Sequence, residues 1–149
     1  MSDHDEPPSI TPSVLISNRQ SAGVDEATLT DLARTTLAGE GLLDVELSVS
    51  FVDEAEIEDL HIRYMDAPGP TDVLSFPLDD VDEGSTRLLG DVVIAPAVAA
   101  RNNPADPEAE LRLLLVHGIL HLLGYDHEDD AEKAEMWARQ ERYSGVRAP

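Results

Sequence analysis

Three histidines near the C-terminal end of the chain are the feature that most constrains its fold. His117, His121 and His127 stand four and six positions apart, with Gly124 between the second and the third. Residues four apart lie on one face of a helix, so the imidazoles of His117 and His121 can converge on one ion. Gly124 can adopt the left-handed conformation that ends a helix, and the resulting turn would bring His127 back towards that pair. The spacing predicts a metal site at the end of a helix.

The types of ligand narrow the chemistry of this site. The 149 residues include no cysteine, so nitrogen or oxygen must hold any metal. Three neutral imidazoles with one position left open are typical of a catalytic zinc site, although nickel, copper and iron also bind imidazole. Asp126 as a fourth ligand would make the site structural. We interpret Asp126 instead as an acceptor that fixes the tautomer of a ligand.

Gly118 separates this pattern from that of a protease. The three histidines and Gly124 match the metzincin pattern His-x-x-x-His-x-x-Gly-x-x-His, in which a glutamate follows the first histidine and serves as general base. With Gly118 in that place, peptide hydrolysis by this mechanism loses a contribution of roughly 10²- to 10⁴-fold. The missing side chain also suggests open space beside the metal for a substrate group.

The rest of the sequence predicts an α+β fold. Hydrophobic periodicity and turn residues predict strands at 14–18, 45–51, 71–77 and 88–94, and the last two are expected to pair as a hairpin with a long loop. Helices are predicted at 25–37, 54–65, 96–101, from 107 to the turn at Gly124, and from 129 or 130 to about 143. We expect a small mixed sheet of about four strands packed with helices, with the metal-binding helix central and a zinc metalloprotease-like site.

The second predicted helix has an inward stripe and one neighbouring histidine. Its apolar stripe is expected to be Ile57, Leu60 and Tyr64, with His61 and Met65 stacked beside it. Aspartates are expected to cap the starts of four helices, and these are Asp25, Asp53, Asp106 and Asp129 or Asp130.

The length suggests a single domain over residues 13–149, after a disordered segment at 1–12 that is too polar and proline-rich to pack. The N-terminus lacks the basic and apolar regions of a signal peptide, and no apolar run is long enough to span a bilayer. A cytoplasmic protein is therefore expected.

The charge is strongly negative. With 31 acidic residues against 10 Lys and Arg, the net charge is −21, which repels polyanions and argues against nucleic acid as a partner. Solubility or a saline cell interior also accounts for such acidity, and the scattered arginines still allow a local basic patch.

Two long motifs resemble those of one family. The run from His117 to His127 resembles the signature of the YbeY family, the bacterial zinc-dependent endoribonucleases of ribosomal RNA maturation. The run from Pro70 to Pro77 resembles the second marker of that family, and Leu89 to Val92 follows it as in the family. With a weaker match at Met136, Gln140 and Glu141, the resemblance covers about residues 45–141.

The resemblance implies a function, a cofactor and partners. It implies a single-strand-specific endoribonuclease that processes the 3′ end of 16S rRNA and takes part in ribosome quality control, with one Zn²⁺ per chain. His117, His121 and His127 match the zinc ligands of the family. The implied partners are a ribosomal RNA precursor and the ribosome or its small-subunit proteins. No DNA or membrane partner is expected, and the protein is expected to be a monomer.

The chain departs from the family in the second helix. Family members commonly carry Asn-x-x-Tyr-Arg there, whereas this chain has His61 and ends the motif with Met65, which cannot make a charge-assisted bond to phosphate. Arg63 lies about 200° round the helix from Met65 and is a poor substitute. His61 is expected to supply a proton or a phosphate contact instead, and its alternative is a solvated helix histidine.

Three further residues are candidates for the site. Asp72 and Ser75 are expected to support it from the strand, with Asp72 alternatively a turn or cap residue. Arg87 is a possible phosphate contact or a simple surface arginine.

Two other functions remain open from the sequence. One is a ribosome-assembly factor that binds without cutting and uses the metal to hold its fold. The other is a metallohydrolase that acts on peptides or small phosphate esters, of which Gly118 weakens the peptide version.

Overall fold

The computed structural model describes residues 11–65, 72–78, 87–125 and 129–146. Its elements confirm the predicted order of strands and helices. In chain order they are β1 (Ser13–Asn18), α1 (Glu26–Gly39), β2 (Val45–Phe51), α2 (Glu54–Met65), β3 (Val73–Pro77), β4 (Arg87–Ile94), α3 (Pro96–Asn102), α4 (Pro107–Leu122) and α5 (Asp130–Ser144).

The four strands form one mixed sheet, as the sequence predicts. Their order is β1-β2-β4-β3, with β1 and β4 parallel to β2 on either side of it and β3 antiparallel to β4. The predicted hairpin is present, since Leu74 of β3 pairs with Val93 of β4. The fold class is therefore α+β, and β4 lies between β2 and β3, which is its hairpin partner.

Aspartates fix the starts of four helices. Each side chain accepts a hydrogen bond from the backbone N–H three residues later, at 2.7 to 3.1 Å, and the four aspartates are Asp25, Asp53, Asp106 and Asp129. These bonds satisfy N–H groups that the first turn of a helix leaves without a partner. The predicted caps are confirmed, and Asp129 rather than Asp130 caps α5.

The helix that carries the histidines is central. One side of α4 packs on the sheet, where Leu115 and Ile119 join a buried cluster with Leu47 and Val92. Val116 and Leu120 of α4 form another buried cluster with Met136 of α5. Because α4 is covered on both sides, its histidines sit on a rigid support.

On the other face of the sheet, α2 packs against β3 and β4. Ile57 lies in a buried cluster with Leu74 and Val93, and Leu60 packs against that cluster. The prediction that Tyr64 also points inward is wrong, because this side chain is 65% exposed. The last turn of α2 extends past the buried cluster, and Tyr64 makes an edge-on ring contact with Phe76 at 5.5 Å.

Residues 1–10, most of the segment predicted to be disordered, lie outside the described residues. Pro12 is buried, and its carbonyl accepts a hydrogen bond from Nε of Arg34 at 3.2 Å. Across the described ranges, no helix combines the length and the apolar character that crossing a membrane requires.

Candidate metal centre

His117 and His121 lie side by side on the last turns of α4. Both side chains are partly buried, their ring centroids are 4.7 Å apart, and the two planes meet at 73°. The convergence expected from their spacing is therefore present in the structure. His127 and Asp126 lie outside the described residues, and within the described residues no three His, Asp or Glu side chains form a metal-binding group.

The turn after these histidines has the geometry expected at Gly124, whose φ is +99°. The N–H of Tyr125 donates to the carbonyl of Leu120 at 3.0 Å, and the N–H of Gly124 donates to that of His121 at 3.1 Å. These two bonds make a Schellman motif, which ends α4 and redirects the chain just before His127.

Glu40 anchors that turn to the rest of the protein. Its carboxylate side chain is 6% exposed and accepts hydrogen bonds from Tyr125 at 2.7 Å, Arg139 at 2.6 Å and Tyr143 at 2.5 Å. The guanidinium of Arg139 also lies over the ring of Tyr125, 5.1 Å from its centroid. Tyr125, two positions before His127, is thus held by Glu40 at the end of α1 and by Arg139 on α5.

The ionisation of this cluster follows from its hydrogen bonds. Burial by itself raises the pKa of Glu40, but the bonds from Tyr143, Tyr125 and Arg139 outweigh it, and the pKa lies below its ordinary value. Burial and the neighbouring Glu40 raise the pKa of Tyr125 to about 12. Glu40 is therefore an anion and Tyr125 a neutral donor at neutral pH.

Gln140 orients the first histidine. Nδ1 of His117 lies 2.8 Å from Oε1 of Gln140, whose side chain is 2% exposed. An amide oxygen only accepts hydrogen bonds, so Nδ1 carries the proton and Nε2 keeps its lone pair for a metal. The two described histidines therefore have the donor chemistry that suits a zinc ion. The sequence suggested Asp126 as the residue that accepts a hydrogen bond from a ligand histidine. For His117 the acceptor is Gln140.

Gly118 corrects the interpretation of open space beside the metal. A Cβ at position 118 would lie 2.7 Å from Cγ1 of Val92, 3.2 Å from Cγ2 of Val73 and 3.4 Å from Oγ of Ser75. This position faces the sheet, so the glycine allows α4 to approach β3 and β4 closely and leaves no room for a substrate group.

Ser75 and Asp72 both lie near His117. The hydroxyl of Ser75 donates to the carbonyl of Gly118 at 2.8 Å, and Ser75 shares a hollow of about 260 Å³ with His117 and His121. Oδ2 of Asp72 accepts from Nδ2 of Asn102 at 3.1 Å, and the backbone carbonyl of Asp72 accepts from Ala95.

His61 and the arginines occupy other places. His61 is partly buried on α2, one turn after Ile57 on the helix that covers the opposite sheet face. Arg63 pairs with Asp59 at 3.1 Å on the surface. Arg87 is exposed and lines a hollow of about 370 Å³ with Glu40 and the turn at Gly124, rather than the cleft at His117.

A larger cleft adjoins the histidines between α4, α5 and the start of β3. It has a volume of about 500 Å³, and its lining includes His117, Trp137, Leu113, Leu114, Lys133 and the carboxylates of Asp72, Glu110 and Glu141. Burial raises the pKa of Glu110, and the negative charge of Asp72 raises it further. For this region, sequence reasoning assigned site roles only to His117 and Asp72, and it named Glu141 only within a weak family match. Glu110, Leu114 and His117 stand at positions i, i+4 and i+7, and this spacing indicates that all three lie on one face of α4.

Comparison with known proteins gives one consistent result. Residues 15–145 match the sequence model of the family described as Endoribonuclease YbeY. Proteins of that name from Streptomyces coelicolor and Acidothermus cellulolyticus are 47% and 50% identical, over 86% and 85% of this chain and 86% of each relative. The Mycobacterium tuberculosis protein of that name is 42% identical over 87% of this chain and 80% of its own.

A solved structure agrees with these matches. The solution structure of TM1509 from Thermotoga maritima has 32% sequence identity and a TM-score of 0.57, covering 88% of this chain and 86% of that one.

Proposed function

The chain belongs to the YbeY endoribonuclease family, and from this we propose that it is a zinc-dependent endoribonuclease of ribosomal RNA maturation. The observation that carries the proposal is the pair of His117 and His121, with Gln140 holding the first in the tautomer that binds a metal. His127 follows the Schellman turn at the family spacing and is proposed as the third ligand.

The chain's own residues would divide the work between holding the metal and handling the substrate. His117, His121 and His127 would hold the zinc ion, which would supply Lewis acidity for hydrolysis of a phosphoester. The hydroxyl of Ser75 ties β3 to α4 through the carbonyl of Gly118, and Ser75 lines the same hollow as the two histidines. Gly118 carries no base, so we assign proton transfer to Asp72, which lines the adjoining cleft.

The proposed substrate is single-stranded precursor RNA at the 3′ end of 16S rRNA, in the cytoplasm. The net charge of −21 repels a free polyanion at long range. We therefore propose that the ribosome or a small-subunit protein presents the RNA to the site. The same activity would serve ribosome quality control by cutting defective ribosomal RNA.

The experiment is cleavage of a precursor that contains the 16S 3′ end, with the zinc content of each protein measured in parallel. His121→Ala should lose both zinc and cleavage. Asp72→Asn should keep zinc and lose about 10²-fold or more in rate, as expected for a general acid or base. Retention of zinc and cleavage by His121→Ala would overturn the proposal. An Asp72→Asn protein that cuts at the parent rate would remove Asp72 from the mechanism.

Two features favour a second function, a ribosome-assembly factor that does not cut. Three carboxylates against one lysine line the cleft at His117, and Met65 stands where family members commonly carry an arginine. Both features weaken phosphate binding. The test is to add zinc to metal-stripped protein. If zinc restores thermal stability but never RNA cleavage, the result favours this function.

A further inference from the structure

The cleft between α4 and α5 is larger and more apolar than the hollow at the two histidines. Its volume of about 500 Å³ lies within the range of small-molecule sites, and His117 borders both spaces. Leu113, Leu114 and Trp137 supply its apolar walls. A group bound here would therefore lie directly beside a phosphate at the proposed metal centre.

Trp137 is the one tryptophan of the chain, and it is held firmly at this border. Its ring lies 6.1 Å from that of His117, with an angle of 29° between the planes. Met136 before it is fully buried, and Gln140 one turn later is bonded to His117. The partly buried indole thus lies beside His117 and borders the cleft.

The charges of the cleft select against phosphate and in favour of hydrogen-bond donors. Among the residues that the structure describes, Asp72, Glu110 and Glu141 line it together with a single cation, Lys133. Carboxylates repel a phosphate but accept hydrogen bonds from amino groups, such as the exocyclic amines of adenine and cytosine. Uracil has no such amine.

We propose that this cleft binds one unstacked nucleobase of the RNA, with Trp137 as its stacking surface and with preference for a base that carries an exocyclic amino group. The inference deepens the proposed ribonuclease function and rests on it. Single-stranded RNA is commonly recognised by unstacking a base onto an aromatic side chain and hydrogen-bonding its edge. The nucleotide in the cleft would then fix which neighbouring phosphate reaches His117 and His121.

The tryptophan itself reports occupancy of the cleft. Zinc-loaded protein is titrated with a short oligoadenylate made resistant to cleavage by phosphorothioate linkages, and tryptophan fluorescence is recorded. We expect saturable quenching by oligoadenylate and weaker quenching by oligouridylate of the same length. An oligoadenylate series with one abasic ribose moved along the strand should lose about 10-fold in affinity at one position and little elsewhere.

Variants separate stacking from packing. Trp137→Phe should keep most of the affinity for fluorescently labelled RNA, whereas Trp137→Leu, which fills similar space without a π face, should raise Kd about 10-fold. Glu110→Gln should narrow the preference for oligoadenylate over oligouridylate. Zinc content and thermal midpoint are measured for each variant, because a purely structural role of Trp137 would change these and leave the abasic profile flat.

The outcomes distinguish this proposal from the one it rests on. If the protein cuts RNA but the abasic series is flat, or oligouridylate quenches as strongly as oligoadenylate, the base site is wrong and the ribonuclease function stands. If zinc-loaded protein neither binds nor cuts RNA, both are wrong.

Discussion

Nδ1 of His117 donates a hydrogen bond to Oε1 of Gln140 across 2.8 Å, which joins the metal helix α4 to the C-terminal helix α5. Gln140 is 2% exposed, so no water competes strongly for its amide oxygen. The bond fixes both the tautomer and the rotation of the His117 ring. The competence of the site for zinc therefore depends on α5, although no proposed ligand lies on that helix.

Loss of this acceptor should weaken metal binding. Gln140→Leu keeps the volume but removes the oxygen, and we expect zinc affinity to fall about 10- to 100-fold, as for other residues that orient a metal ligand. Competition with a chromogenic chelator measures the effect. Gln140→Glu retains an acceptor and should stay close to the parent protein. Equal zinc affinity of Gln140→Leu and the parent would show that His117 needs no such partner.

Glu40 should make stability depend on pH. Because its pKa in the folded protein lies below the ordinary value of 4.5, its charge contributes stability above that pH, and this contribution is lost as the pH falls through the folded pKa. We expect Glu40→Gln to lower the free energy of unfolding by about 1–3 kcal/mol at pH 7, with a smaller difference in acid. Urea unfolding at pH 7 and at about pH 3.5 measures both values.

The matched control for Glu40 is Glu54, which forms an exposed ion pair with Arg101 at 2.7 Å. Exposed pairs contribute little to stability, so Glu54→Gln should cost less than Glu40→Gln at neutral pH. An equal loss for both variants, or a Glu40→Gln loss that does not shrink in acid, would contradict the proposed role of the Glu40 anion.

Gly118→Ala should destabilise the protein, although alanine is normally favoured over glycine inside a helix. Alanine there gains about 0.5–1 kcal/mol in helix propensity, but its Cβ would lie 2.7 Å from Cγ1 of Val92. Overpacking typically costs about 1–3 kcal/mol, so we expect a net loss of stability in thermal or urea unfolding. Gly23→Ala is the control, because a Cβ at position 23 meets nothing within 4 Å.

A compensating change gives a sharper test of this contact. If the clash with Val92 causes the loss, Val92→Ala should cost less in the Gly118→Ala background than in the parent protein. Strict additivity of the two substitutions would assign the loss to another cause.

The sequence predicted what local patterns determine. The four capping aspartates, the alternation in β2 and the spacing of His117 and His121 each act within a few residues, and the structure contains all of them. The Schellman turn at Gly124 belongs to the same class, since one glycine in the left-handed conformation is enough to make it.

Long-range contacts escaped prediction because no local pattern encodes them. Gln140 is 23 residues from His117, and Glu40 is 85 residues from Tyr125, so neither pairing is visible before the helices are packed. The direction in which Gly118 faces depends on how α4 lies on β3 and β4. The prediction that Tyr64 points inward was wrong for a related reason, because helical periodicity does not tell where the buried cluster ends.

Metal removal should leave the protein folded but less stable. The main core contains Leu47, Leu115 and Ile119 and is assembled from α1, α4 and the sheet, so its burial does not require a metal. Zinc that binds the folded state alone stabilises it by about 2.7 kcal/mol at a free concentration 100 times Kd. For a domain of this size we expect the thermal midpoint to fall by about 5–10 °C after chelation.

Circular dichroism of chelated and zinc-loaded protein checks this, with His121→Ala as the variant that should show no zinc-dependent shift. A chelated protein that keeps its helical signal but stops cutting RNA would agree with a catalytic metal on a preformed scaffold, since Gln140 holds His117 and Glu40 holds the turn at Tyr125 in its absence. A chelated protein that unfolds would instead make the metal part of the fold, and would favour the assembly factor over the ribonuclease.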